Sequence, residues 1–168
     1  MMKTEVQTIL DHEDIKNKIR RIAYQIYESN VDEKEIILAG IALNGYVIAE
    51  RLKAILEEVS ALQCTLCKVT MNKTAPQGTV ETSLNASEYK DKSLVLIDDV
   101  LNSGTTLIYG VKHFLDVPLK QFKTAVLVNR NHKKYPVKAD FKGISLSTSL
   151  NERVKVRFKP GKDSAILE

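Results

Sequence analysis

The sequence predicts an α/β fold in which a mainly parallel central sheet is flanked by helices. Short apolar runs that fit buried strands alternate with longer segments whose apolar residues recur at helical spacing. Their order of strand, helix, strand, strand, helix and strand is typical of this class. Because no repeat, low-complexity tract or linker interrupts the 168 residues, we expect residues 1–168 to form one domain with a substantial core.

The composition is that of an ordinary globular protein, with 43% hydrophobic and 27% charged residues. The longest apolar runs are too short to span a bilayer. The N-terminal segment MMKTEVQTIL has no apolar stretch of the kind found in secretory signals. We therefore expect a cytoplasmic protein with no membrane partner.

Both cysteines, Cys64 and Cys67, lie in the segment LQCTLCKVT. A structural zinc site of four cysteines would need a second pair, which the sequence lacks. A redox C-x-x-C motif remains an alternative, but such motifs lie at helix starts, and this segment alternates like a strand. We therefore favour structural thiols.

The first half of the chain predicts two helices and two strands. Asp11 is expected to cap the first helix, with Asp14 three residues later resembling a capping box. The segment EIILAG at 35–40 fits a short buried strand, the second helix follows Gly45, and a further strand covers residues 63–70. The apolar residues that define the two helices are Ile15, Ile19, Ile22, Ala23 and Ile26, and then Ile48, Leu52, Ile55, Leu56 and Val59.

The second half begins with a long loop. Residues 71–90 lose periodicity and include Pro76 and Gly78, and a loop of this length inside a compact domain is usually functional or disordered. We expect it to be flexible. Buried strands are then predicted at 94–97 and 124–128, with a helix between them. That helix is defined by Leu107, Ile108, Val111, Phe114 and Leu115. Less regular apolar stretches predict further strands at 137–141, 144–148 and 154–158.

Two adjacent carboxylates, Asp98 and Asp99, end a buried strand in the segment LVLIDDVLNSGTT. In parallel α/β sheets ligands lie beyond the carboxyl ends of the strands, so three junctions matter: residues 40–45, 98–106 and 129–135. Successive strand residues face opposite ways, so we expect the two carboxylates to have different roles. As hydrogen-bond acceptors they suit the hydroxyls of a ribose diol, or Mg²⁺ bound directly or through water.

The segment after the carboxylates, from Ser103 to Thr106, is expected to begin a helix. The free backbone N–H groups and the positive dipole of a helix start can hold an anion. Gly104 permits close approach of the backbone, and its neighbours add hydroxyl donors. Together with the carboxylates, this predicts a ligand that carries a sugar diol near a phosphate. A capped helix after a surface turn is the simpler alternative, and no Walker loop is present.

With these residues the sequence resembles the type I phosphoribosyltransferases, whose signature is an apolar strand, two acids and a turn such as T-G-x-T. Here it reads VLIDDVLNSGTT. The resemblance implies a five-stranded parallel core sheet with a small hood, the substrate 5-phosphoribosyl-1-pyrophosphate (PRPP), and Mg²⁺ as cofactor. It assigns Asp98 and Asp99, as the catalytic carboxylates, to the ribose hydroxyls and the metal. The 5′-phosphate is then held by Leu101, Asn102, Ser103, Gly104, Thr105 and Thr106.

One branch of that family shares further segments with this chain, the bifunctional pyrimidine-operon attenuation regulators and uracil phosphoribosyltransferases. These segments are ILDHEDIKNKIRRIAYQIYESN, AGIALNGYVIAERL and TAVLVNRNHKKYPVKADFKG. The pyrophosphate loop of the branch usually carries T-R-G, whereas here Ala42 precedes Leu43, Asn44 and Gly45. Loss of the arginine removes a strong phosphate partner, so we expect weaker pyrophosphate binding, with Lys73 of the long loop as a further contact.

The resemblance implies transfer of a phosphoribosyl group from PRPP to a nitrogenous base, with uracil as the expected base. Purine enzymes usually have an aspartate at the position of Asn102, and an amide cannot take up the proton of a purine ring. Uracil would be recognised by a hood loop near residues 145–151. Transfer to another base remains an alternative, and the altered pyrophosphate loop predicts reduced activity.

An RNA-binding regulator that senses a nucleotide, with weak or lost catalysis, is an alternative from another functional class. The net charge is +4, and basic residues concentrate between 120 and 162. A solvated basic surface is the simpler interpretation of this excess. By resemblance, RNA contacts would come from Arg20, Arg21, Arg130, His132 and Lys133, and the protein would form dimers or tetramers.

Overall fold

The computed structural model describes residues 5–149 and 151–168, in which four helices and nine strands follow one another along the chain. In chain order they are β1 (Gln7–Leu10), α1 (His12–Glu28), β2 (Glu35–Ile41), α2 (Asn44–Val59), β3 (Gln63–Thr70), β4 (Glu81–Thr82), α3 (Ala86–Tyr89), β5 (Ser93–Leu101), α4 (Thr105–Phe114), β6 (Gln121–Asn129), β7 (Phe141–Ser145), β8 (Val154–Arg157) and β9 (Ser164–Leu167).

The central sheet has six strands in the order β4-β3-β2-β5-β6-β7. The five strands from β3 to β7 in this order pair in parallel, and only the two-residue strand β4 at the edge is antiparallel. The predicted α/β class with a mainly parallel sheet is therefore confirmed. A separate antiparallel sheet, in the order β1-β9-β8, joins both ends of the described chain and forms the hood.

Hydrophobic layers cover both faces of the central sheet. The residues of β5 alternate between them: Val95 and Ile97 pack with α1 and α2, whereas Leu94 and Leu96 pack with α3 and α4. This alternation follows from the two-residue period of a strand, and continuous burial is typical of a parallel sheet with helices on both faces. Strand β5 therefore lies at the centre of the domain, with its carboxyl end at the edge where ligands bind in this class.

Several local predictions are confirmed. Asp11 caps α1 by accepting from the backbone N–H of Asp14 (2.8 Å), and the Asp14 carboxylate accepts from the N–H of Asp11 (3.0 Å). Cys64 and Cys67 are free thiols on β3, buried in opposite hydrophobic layers. Burial raises the pKa of the Cys64 thiol to about 11 and also raises that of Cys67. Both thiols are therefore poor nucleophiles, as expected for structural cysteines.

Other local predictions are wrong. The strand predicted at 137–141 begins only at Phe141. Directly before it, the Asp140 N–H donates to Thr124 O (3.0 Å) and the Asp140 carboxylate accepts from the Thr124 N–H (2.9 Å). The strand predicted at 144–148 ends at Ser145. The long loop at 71–90 contains β4 and α3. Strands β1 and β9 were not predicted, because the sequence around each gives too few alternating positions to stand out.

None of the helices in residues 5–149 and 151–168 is long and apolar enough to cross a membrane. The prediction about the N-terminal segment includes residues 1–4, which lie outside the described residues.

Truncating a buried leucine should destabilise the domain far more than truncating an exposed one. Leu52 on α2 is fully buried, whereas Leu115 after α4 is 61% exposed. We expect Leu52→Ala to lower the free energy of unfolding by about 2–5 kcal/mol because it leaves a cavity. Leu115→Ala should change it by less than about 0.5 kcal/mol. Urea denaturation measures both, and equal losses would contradict this assignment of the core.

Candidate active site

Different partners hold the two carboxylates at the end of β5. Asp98 is 3% exposed, and its Oδ1 accepts from the backbone N–H of Asp99 (2.8 Å) and lies 3.4 Å from Lys73 Nζ. Asp99 is half-buried, and its Oδ2 accepts from Asn44 Nδ2 (3.0 Å). Asp99 Oδ1 accepts from the backbone N–H of Val100 (2.8 Å). Because each carboxylate keeps further lone pairs, both can accept from a ligand.

Burial raises the pKa of the Asp98 carboxyl to about 8, and the nearby charge of Asp99 adds to this effect. Lys73 acts in the opposite direction but does not cancel it. A cation or several hydroxyl donors at this carboxylate would favour its ionised form. The buried acid is therefore matched to a ligand that brings positive charge or hydrogen-bond donors.

The two carboxylates suit Mg²⁺, which takes part of its ligands from water and substrate, better than they suit a metal whose ligands all come from protein side chains. Among the described residues, no three His, Cys, Asp or Glu side chains lie close enough together to hold a metal ion. Mg²⁺ usually binds one or two carboxylates and completes its shell with water and substrate phosphate oxygens. Asp98 and Asp99 could supply this carboxylate share.

The turn between β5 and α4 forms the predicted phosphate loop. Residues 100–107 line a cavity of about 40 Å³ together with Asp98 and Val126. Gly104 adopts φ +87° directly before α4, and a Cβ there would lie 2.7 Å from Val137 Cγ1. The Ser103 and Thr105 hydroxyls are 2.8 Å apart. The Thr105 N–H donates to the Ser103 hydroxyl (3.3 Å). The helix start and these hydroxyls give the cavity the character of an anion site.

The predicted pyrophosphate loop, residues 42–45, packs against the carboxylate strand. A Cβ on Gly45 would lie 2.5 Å from Ile97 O, so only glycine permits this approach. The Ala42–Leu43 peptide bond is cis, and the Leu43 side chain is 76% exposed. Asn44 donates to Asp99 and also to Val156 O of β8 (2.8 Å). The neutral amide at the expected arginine position therefore holds a site carboxylate and joins it to the hood.

Arg130 has a different environment from the one predicted for an RNA contact. It is 4% exposed, and its donors are used by oxygens of Asn102, Thr148, Ser149 and Glu152. Four of the five N–H donors of this buried guanidinium are used within the protein. An RNA contact at Arg130 stays a prediction. Sequence reasoning missed the role of Arg130 beside the phosphate loop. Its position directly after a buried strand, at a junction expected to hold ligands, was the available signal.

His132 lies in the same region, with Nε2 2.9 Å from the Thr148 hydroxyl. Lys133 next to it is exposed. The predicted base-recognition segment 145–151 begins at Ser145, whose hydroxyl lies 3.4 Å from Asn129 Nδ2. Leu150 in this segment lies outside the described residues.

Arg20 and Arg21 are exposed on α1, the helix that packs against β7. The Arg20 guanidinium lies 5.5 Å from the ring centre of Tyr24, and Arg21 Nη2 donates to Gly143 O (2.6 Å) and Lys142 O (3.2 Å). We call Arg20, Arg21, Tyr24 and Lys142 the α1–β7 basic surface.

The raised pKa of Asp98 predicts how the ligand-free protein responds to pH. The folded state keeps the carboxyl protonated up to about pH 8, whereas the unfolded chain releases this proton near pH 3.8. Between these values the unfolded state binds fewer protons, so stability falls as the pH rises. Asp98→Asn should flatten this fall, which urea denaturation between about pH 5 and about pH 8 measures. The exposed control Asp116→Asn should keep the wild-type slope, and an equal slope in Asp98→Asn would contradict the assignment.

A family model described as the phosphoribosyl transferase domain matches residues 5–159. Among the similar proteins is the bifunctional protein PyrR of Alkaliphilus metalliredigens (strain QYMF), which is 34% identical over 95% of this chain and 93% of its own length. The bifunctional protein PyrR of Streptomyces coelicolor is 31% identical over 97% of this chain and 90% of its own length.

Solved structures with the same fold include a hypoxanthine-guanine phosphoribosyltransferase of Bacillus anthracis, with a TM-score of 0.74 at 20% identity over 96% of this chain and 99% of that one. The K68R mutant of a hypoxanthine phosphoribosyltransferase of Trypanosoma cruzi, in complex with the product IMP, has a TM-score of 0.75 at 15% identity, over 89% of this chain and 76% of that one. At these identities the likeness concerns the fold alone. From the family match and the PyrR relatives, the chain belongs to the phosphoribosyltransferase family, in the branch that contains the bifunctional PyrR proteins.

Proposed function

We propose that this phosphoribosyltransferase transfers the phosphoribosyl group of PRPP to uracil and forms uridine 5′-monophosphate (UMP) and pyrophosphate. One observation carries the proposal: the carboxylates at the end of β5 adjoin an anion-binding helix start, and Asp98 lines the same cavity as the phosphate loop. This arrangement suits a ribose diol next to a 5′-phosphate. The PyrR relatives support the choice of branch.

Each part of the substrate has a proposed partner. The phosphate loop would hold the 5′-phosphate through residues 101–106, and Asp98 and Asp99 would accept from the ribose hydroxyls. Pyrophosphate would contact the backbone of residues 42–45 and Lys73, whose exposed ammonium lies on the Asp98 side of the site. Bound Mg²⁺ would supply positive charge for the leaving pyrophosphate.

The proposed reaction breaks the bond between ribose C1 and the pyrophosphate oxygen as a base nitrogen forms its bond to C1. The pyrophosphate leaves with the bond electrons, and the proton lost by the base nitrogen passes to water or to the released pyrophosphate. Because charge separates at C1, positioning and electrostatic stabilisation are the contributions expected from the protein. Asn44 restricts the Asp99 side chain, so this carboxylate meets the ribose in a fixed orientation. We also propose that the long loop at 71–90 closes over the site and excludes water.

Asn102 supports a pyrimidine rather than a purine as acceptor. Its amide oxygen accepts from Arg130 Nη1 (3.2 Å), and an amide has no basic site for the proton of a purine ring. Transfer to a base other than uracil remains the alternative. The oligomeric state and the cytoplasmic location stay predictions.

Turnover with a panel of bases tests the proposed function. With PRPP and Mg²⁺ present, we expect pyrophosphate release to be fastest with uracil. Asp99→Asn should lower kcat/KM by roughly 10- to 100-fold, because hydrogen bonds to charged groups contribute about 1.5–3 kcal/mol. The exposed acid Asp116 provides a matched control, since Asp116→Asn should leave kcat/KM unchanged. If none of the bases in the panel supported pyrophosphate release, the catalytic proposal would be refuted.

The α1–β7 basic surface favours RNA binding as a second function. Arg20 is exposed and lies over Tyr24, so a cation and an aromatic ring are presented together. Arg21 is held in place by two backbone carbonyls of β7. His132, Lys133 and Arg130 remain proposed contacts, of which Arg130 is buried.

Replacing one arginine of this surface should weaken RNA binding and reduce its dependence on salt. We expect Arg20→Gln to lower the slope of log affinity against log salt concentration by about 1, because one phosphate contact is lost. Lys112→Gln removes the same charge from α4, on the opposite face of the sheet, and should leave the slope unchanged. Filter binding to a pyrimidine-operon leader RNA at several salt concentrations measures it. Equal, weak binding to unrelated RNAs would count against a regulatory role.

A further inference from the structure

Arg130 joins two segments of the site that belong to different parts of the fold. Its backbone N–H donates to Leu101 O (3.0 Å), which places it beside the first residue of the phosphate loop. Its side chain is buried and points toward the loop between β7 and β8, residues 146–153, which we call the β7–β8 loop. Neither the proposed ribose contacts nor the proposed pyrophosphate contacts include this residue.

The Arg130 guanidinium donates in two directions. Nη1 donates to Asn102 Oδ1 in the phosphate loop (3.2 Å). On the other side, Nε donates to the Thr148 hydroxyl (3.0 Å), and Nη2 donates to Ser149 O (3.2 Å) and Glu152 O (2.6 Å). Because the guanidinium is rigid and planar, displacement on one side changes the hydrogen bonds on the other. Lysine could not reproduce this bridge, since its donors radiate from one atom.

The charge of Arg130 lacks a protein counter-charge. All four of its side-chain partners are neutral oxygens, and no ion pair recorded in residues 5–149 and 151–168 includes it. A buried cation without a partner is unfavourable. The phosphate loop beside it has the character of an anion site, so a bound phosphate would bring the missing negative charge into this low-dielectric region.

We propose that Arg130 is a positioning residue that couples the 5′-phosphate to the base side of the site. A phosphate in the loop fixes Asn102, Arg130 transmits this order to the β7–β8 loop, and the base is then held more tightly. The inference rests on the proposed nucleotide-binding function. A purely structural role for Arg130 would instead weaken all ligands equally, whether or not they carry a phosphate.

Comparing UMP with uridine separates these two roles, because the ligands differ only in the phosphate. Calorimetric titration of the full-length protein gives the ratio of the two affinities. We expect Arg130→Lys to lower this ratio at least about tenfold, since the bridge to Asn102 is lost. Arg157→Lys, an exposed control on β8 of the hood, should keep the wild-type ratio. An unchanged ratio in Arg130→Lys would overturn the proposal, even if both affinities fell together.

A double-mutant cycle provides an independent test if Arg130→Lys does not fold. Asn102→Ala and Thr148→Val remove side-chain partners on opposite sides of the bridge, and no hydrogen bond joins these two side chains directly. Their effects on UMP affinity should be non-additive if Arg130 connects them. Additive effects would overturn the coupling. If the wild-type protein bound no UMP, the proposed function itself would fail, whereas normal UMP binding with additive effects would remove only the role of Arg130.

Discussion

The parallel pairing of β5 with β6 is the constraint on which the site depends. This ladder continues past Asp98 to Leu101, which lies opposite Asn129, and the Arg130 N–H extends it by one more hydrogen bond. Both carboxylates therefore lie inside a paired strand and not in a loop. Since the phosphate loop begins where the ladder ends, the ladder sets the spacing between the carboxylates and the anion site. The close approach of Gly45 to Ile97 then brings the pyrophosphate loop to the same strand.

The electrostatics of the site favour a ligand over the empty state. Asp98 is buried beside a second carboxylate, which is unfavourable for its ionised form. Arg130 is buried, and it forms no ion pair with any carboxylate of residues 5–149 and 151–168. A sugar phosphate with its associated metal would stabilise both groups. Its hydroxyls and the cation would lie at the carboxylates, and its phosphate would bring negative charge near the Arg130 guanidinium. Such local instability is typical of sites that are completed by a ligand.

The two halves of the proposed PRPP site differ in the number of groups that could bind a phosphate. The phosphate loop has the hydroxyls and the helix start that the sequence predicts, and Gly104 in addition adopts the left-handed conformation. On the pyrophosphate side, the amide of Asn44 donates to Asp99 and to the hood, so it orders the site without adding charge. Lys73 is the cation that the structure pairs with Asp98. This asymmetry supports the prediction of weaker pyrophosphate binding and reduced activity.

The sequence by itself determined the fold class, the two long helices, the capping box and the phosphate signature, because each depends on periodicity or on neighbours a few residues apart. Only the tertiary structure decided that Arg130 is buried and which groups it binds, since its partners Asn102 and Thr148 lie 28 and 18 residues away in the sequence. The hood could not be predicted from the sequence either, because β1 and β9 lie at opposite ends of the described chain and pair only in the folded protein. The Asn44 contact with Asp99 spans 55 residues. Local patterns show which residues can carry the chemistry, whereas long-range contacts decide which of them face a ligand and which hold the others in position.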